Sequence, residues 1–169
     1  MHLPRSGERA ARLPAMSERL RSLLVAHGAL VFLAGLIAGF PFAFHILGRV
    51  ELWPIPGSLD IQIPGDYRGW RMAHLEGILN GLLLLGVAAT GSLLRLSERA
   101  AGWAAWGLIV CGWGNVIASF IGPLAGVRGL SFTGLGWNTV VFLLFMVAIV
   151  AVLVAMSIVA RGAWARCRE

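Results

Sequence analysis

Four long apolar runs, at roughly residues 23–47, 72–94, 101–123 and 139–160, constrain this chain more than anything else in it. A hydrocarbon core of about 30 Å takes about 20 residues at helical rise, and each run reaches that length. The sequence therefore predicts an all-α membrane protein, a four-transmembrane-helix bundle forming a single domain over residues 1–169. Composition agrees. With 58% hydrophobic and 13% charged residues and a mean hydropathy of +0.80, the chain is too apolar for a soluble domain of its length. No internal repeat or low-complexity tract interrupts the pattern.

All fourteen basic residues are arginines, and their placement predicts orientation, because positive charge near span ends stays on the cytoplasmic side. Four spans put the N-terminal arm, the loop between spans two and three, and the C-terminal tail on one side. Those segments hold Arg5, Arg9, Arg12, Arg19, Arg21, Arg95, Arg99, Arg161, Arg166 and Arg168, against Arg49, Arg68, Arg71 and Arg128 opposite. Both termini are expected in the cytoplasm, in the inner membrane of a bacterium. Topology and anionic lipid account for the net charge of +6, so no nucleic-acid partner is called for. The first run exceeds the 7 to 15 residues usual for a signal core and reads as an uncleaved anchor. Trp53, Trp70 and Trp137 are expected at the outer interface, Trp103, Trp106 and Trp164 at the inner one, and Trp113 at mid-membrane.

Between spans one and two, VELW and LDIQI flank Pro54, Ile55, Pro56, Gly57 and Ser58, the pattern of a short β-hairpin. Cys111 lies deep in span three and Cys167 in the tail, too far apart in depth to bridge. Nor does any paired cysteine spacing suggest a thiolate zinc site.

Polar groups inside a bilayer are costly, which makes each one a candidate site. His74 opens the second run, and Gly77 and Gly81 fall within about 60° of it around a helix. An imidazole with small residues beside it leaves room for a flat, coordinated group, which points to haem; the alternative for His74 is a helix-end histidine hydrogen-bonded to loop backbone. The competing reading of the glycines is close helix packing through GxxxG. His45 lies at a similar depth and could supply a second axial ligand. His27 lies about 27 Å from His45 along a helix and reads as a packing histidine bonded to another span. His2 is given no role. Glu76 and Asn80 share a different face of span two, and Glu76 reads as a carboxylate near the helix start, favoured by the macrodipole. In span three, Gly107, Cys111, Asn115, Ser119 and Gly122 form a small and polar stripe that either admits a neighbouring helix or walls a pocket. Trp106, Trp113 and Phe120 recur every seven residues on another face, as lipid contact or packing. Arg71 and Arg128 could hold haem propionates in bidentate fashion, with interfacial snorkelling as the alternative; Arg128 is preferred.

The chain resembles the styrene oxide isomerase family. The resemblance rests on Ala26, His27 and Gly28; on Pro64, Gly65, Gly69 and Trp70; and on Ala73, His74, Leu79, Asn80 and Gly81. Gly112, Trp113, Asn115 and Val116 continue it, followed by Arg128, Gly129, Leu130 and Phe132. It implies a homotrimer of four-span subunits with haem b between neighbours, its iron bound by His74. Ferric iron would act as a Lewis acid on an epoxide oxygen, the benzylic C–O bond would open, and a 1,2-hydride shift would give an aldehyde, with Asn80 orienting the oxygen. Two positions depart from the family. Cys111 replaces an acidic residue and Ser119 a tyrosine, both associated with the active site, so pocket size and polarity change and a shifted substrate or haem chemistry is implied. Two other readings stay open: a b-type haem redox or sensor protein using His45, and a haem-free structural or transport bundle.

Overall fold

A computed structural model describes residues 13–168. The expectations placed on His2, Arg5, Arg9 and Arg12 fall outside that range. Four helices, α1 (Glu18–Leu47), α2 (Tyr67–Thr90), α3 (Glu98–Ala125) and α4 (Trp137–Cys167), account for most of the chain. Each of the four hydrophobic segments is long and apolar enough to cross a membrane, so the chain is an integral membrane protein.

The helices overrun the apolar stretches because hydropathy marks where side chains meet lipid, whereas capping residues mark where a helix begins. Ser17 accepts from the Leu20 N–H, Asp66 from the Gly69 N–H and Ser97 from the Ala100 N–H, each satisfying an orphan donor of the first turn. Gly48 and Gly126 end α1 and α3 in the left-handed conformation, which suits a residue without Cβ. Span two ends earlier than its hydropathy suggests. The chain tightens after Thr90 into a 3₁₀ turn over Gly91–Leu93.

The hairpin between α1 and α2 is present and short. Its strands, β1 (Val50–Glu51) and β2 (Ser58–Leu59), pair antiparallel with Val50 opposite Leu59 and Glu51 opposite Ser58. Pro54 and Pro56 carry no N–H, so the ladder cannot extend through the turn. Arg49 and Glu51 form an ion pair at 2.6 Å on its exposed edge.

Packing is uneven. α3 touches all three other helices, α1 and α2 share the longest seam, and α4 packs chiefly on α3. The α1–α2 seam is backbone against backbone: a Cβ on Gly35 or Gly77 would collide with the facing main chain, and one on Gly81 would strike Phe32. Gly107 and Gly114 let α4 approach α3 in the same way, opposite Ala151, Ala155 and Ala148. The main core lies toward the end where α1 begins and α4 ends, where Leu24, Leu84 and Leu108 are fully buried. Backbone bonds from Met16 to Gly91, Leu96 to Pro14 and Arg95 to Gly162 tie the same end together. Trp103, Trp137 and Trp164 are exposed near helix ends, as amphipathic rings prefer, Trp53 is exposed in the hairpin turn, and Trp106 is exposed about two turns into α3. Trp70 also lies near a helix end but faces protein. It is buried, donates to the Pro64 carbonyl at 2.7 Å and meets Phe120 edge-on.

Candidate functional site

His74 is held by α1. Its Nδ1 lies 2.8 Å from the Gly35 carbonyl oxygen, and its ring stacks on Phe42 with centroids 6.1 Å apart. A carbonyl only accepts, so Nδ1 carries the proton and, in a neutral ring, Nε2 carries the lone pair. That tautomer follows from the partner, and it is the one a metal-binding imidazole uses, its far nitrogen anchored to backbone. No protein partner of Nε2 is found among the described residues. Gly39 makes the contact possible, since a Cβ there would sit 3.0 Å from Nδ1.

Gly77 and Gly81 have a different use from the clearance read into the sequence. The space beside both is filled by α1, whose main chain runs past at Phe32 and Gly35. They bring Gly35 within reach of His74 instead of leaving a slot for a flat ring beside it. The GxxxG reading describes them.

On the side of α2 facing α3 lies a buried polar cluster centred on Asn80. Its Nδ2 donates to the Glu76 carbonyl oxygen at 2.9 Å and to Glu76 Oε2 at 2.8 Å. Its Oδ1 accepts from the Cys111 thiol at 3.3 Å and from Asn115 Nδ2, also at 3.3 Å. Both amide protons and both oxygen lone pairs are therefore engaged. Glu76 is the residue that sequence reasoning placed wrongly. Helix α2 starts at Tyr67, so Glu76 sits well beyond the first turn and acts on Asn80, not on the helix dipole. The signal was available, because Glu76 and Asn80 are four residues apart, the spacing at which helical side chains meet.

Further toward the hairpin end, Ser119 is 2% exposed and its hydroxyl has no partner. It borders a cavity of about 40 Å³ that Met72, Val127, Val141 and Phe145 also line, with Arg68 and Arg128 beside it. About 10–15 Å³ admits one water, so the chamber accommodates a few waters or a small polar fragment. The polar stripe of α3 thus divides: Gly107 serves α4 packing, Cys111 and Asn115 join Asn80, and Ser119 and Gly122 wall the cavity. Within one chain Arg128 borders this cavity, whereas His74 faces α1.

His45 Nδ1 lies 3.2 Å from the Ile63 carbonyl, pinning the loop after the hairpin to the end of α1. His27 accepts from Trp113 Nε1 at 3.0 Å, the bond between spans expected of a packing histidine. Among the described residues no group of three or more His, Cys, Asp or Glu side chains could hold a metal ion. A bound metal would have to bring most of its own ligands, as a porphyrin does.

With this geometry in hand, comparison with known proteins is decisive at the family level. A family model described as styrene oxide isomerase matches residues 20–164. The chain belongs to the styrene oxide isomerase family. A styrene-oxide isomerase from Pseudomonas fluorescens is 31% identical over 110 residues, which cover 64% of this chain and 64% of that protein. The family match extends through all four helices, further than the three spans on which the sequence resemblance rested.

Proposed function

We propose that this protein is a membrane-integral isomerase that converts a small hydrophobic epoxide into an aldehyde, with haem b bound through His74. The observation that carries the reading is the anchored imidazole. Its Nδ1 is committed to Gly35, its Nε2 is the lone-pair nitrogen, and it stands on a chain of this family. Haem, when bound, supplies a Lewis-acidic ferric iron for the epoxide oxygen. The reaction is a Meinwald rearrangement: the C–O bond at the carbon bearing the stabilising substituent breaks, a hydride migrates to that carbon from its neighbour, and no atom enters or leaves.

The remaining roles belong to side chains. Arg128 is proposed to pair with a propionate. Asn80 is proposed to orient the substrate oxygen. Because both of its Nδ2 protons lie on Glu76, donation to substrate requires an exchange at Glu76 Oε2. Cys111 and Ser119 line the reacting region, and the unpartnered Ser119 hydroxyl is free to donate to a polar atom. Around α2, His74 and Asn80 are about 120° apart. One subunit's imidazole would then face the next subunit's Asn80 cluster, and a homotrimer with haem between subunits meets that requirement. The arginine count supports an inner-membrane location with both termini cytoplasmic.

The test is product analysis. Purified protein is incubated with a panel of aryl and alkyl epoxides and the aldehydes are measured, beside His74→Ala. Aldehyde formation that requires His74 is expected. Equal turnover by the variant, or none with any epoxide in the panel, would overturn the reading.

A further inference from the structure

We infer that Glu76 is a positioning residue that fixes the Asn80 amide, holding its oxygen toward α3 through a carboxyl supplied by the same helix. The inference rests on the proposed role of Asn80. An asparagine side chain looks nearly the same when its oxygen and nitrogen are exchanged, so something must decide which end faces where. On one side Asn80 meets two oxygens of Glu76, the main-chain carbonyl and Oε2, both acceptors. On the other it meets two donors, the Cys111 thiol and the Asn115 amide. The reverse orientation would set the oxygen against both Glu76 acceptors, whereas the Cys111 thiol, which also accepts from Asn115, and the Asn115 amide can turn to suit either end, so the discrimination comes from Glu76. The main-chain carbonyl is present whatever residue stands at position 76, but alone it leaves one Nδ2 proton unassigned.

Glu76 is itself unusual. It lies in the middle of a membrane helix, and among the described residues no arginine is paired with it; its side-chain bond is to Asn80. A carboxyl kept in a span is expensive and points to a task. Here the task is orientation. The carboxyl assigns the second proton and thereby presents Oδ1 to Cys111, so the thiol's hydrogen bond reports on a residue one helix away.

The experiment uses the full chain carrying Cys167→Ser, which leaves Cys111 as the sole thiol. Its infrared S–H stretch is read in the parent, in Glu76→Ala and in Glu76→Gln. A hydrogen-bonded thiol absorbs at lower frequency than a free one. The parent is expected to show the lowered band, Glu76→Ala a band moved toward the free-thiol position, and Glu76→Gln, which keeps a carbonyl acceptor, a band restored to the parent position. With an epoxide that the parent turns over, Glu76→Ala frees the Nδ2 proton but loses the orientation from which it is handed to substrate, and should lower kcat on the order of 10²-fold with KM little changed; Glu76→Gln should recover most of it. If Glu76→Ala does not fold, Glu76→Asp, one methylene shorter, replaces it with the same expectation. An unmoved S–H band would overturn the inference. Should the parent isomerise no epoxide while the band still shifts, the proposed function fails and the positioning role stands.

Discussion

Single side chains in this protein are fixed by what their partners can and cannot do. The Gly35 carbonyl assigns the His74 tautomer, and the Glu76 oxygens assign the Asn80 amide. Hydrogen bonds between helices in a membrane average about 0.6 kcal/mol, so the two that Asn80 makes to α3 contribute about 1 kcal/mol. Losing a positioned donor from a reacting centre costs about 10²–10³ in kcat. On the proposed reading, Asn80→Ala is expected to lower thermal stability only slightly in detergent, to bind haem as the parent does, and to lose turnover by about two to three orders of magnitude. A melting curve, a haem assay and a rate on one preparation check it. Loss of haem together with activity would move Asn80 from substrate to scaffold.

At the level of helices, close approach is the governing feature, and glycines decide it. A Cβ at Gly77 would meet the α1 main chain at Gly35, and backbone cannot swing aside as a flexible side chain can. Gly77→Val is expected to destabilise by about 1–3 kcal/mol or more, the range typical of overpacking, and to pull Gly35 from His74. Gly86→Ala is the control, because nothing lies within 4 Å of its added methyl. Thermal unfolding in detergent should separate them clearly. Equal melting temperatures would show that α1 and α2 are not seated as described. The same seam explains why sequence reading went astray at Gly77 and Gly81. Spacing shows that small residues share a face with His74, but only packing shows that another helix fills it.

For the whole molecule, architecture was legible and the site was legible in part. Four apolar runs set the spans, Pro54 to Ser58 set the hairpin, and His27 was recognisable as a packing residue because it lies at a different depth from His45. The burial of Trp70 was not legible, because an aromatic at a span end reads the same whether it faces lipid or Pro64. Glu76 was misplaced because the start of α2 is set by Asp66, several residues before the apolar run begins. His74, Asn80, Cys111 and Ser119 all stood out as polar groups in spans. Their division over two sides of α2 is a three-dimensional fact that agrees with the rotation expected around that helix. The proposed site between neighbouring subunits rests on that division.

The measurement that tests the central claim most directly is the absorption spectrum of the purified protein beside that of His74→Ala. The account predicts a Soret band in the parent, of a ferric haem with an open or weakly held axial position, and its loss in the variant. A parent preparation without a Soret band, an undiminished band in His74→Ala, or a low-spin bis-imidazole spectrum drawing on His45 would contradict it.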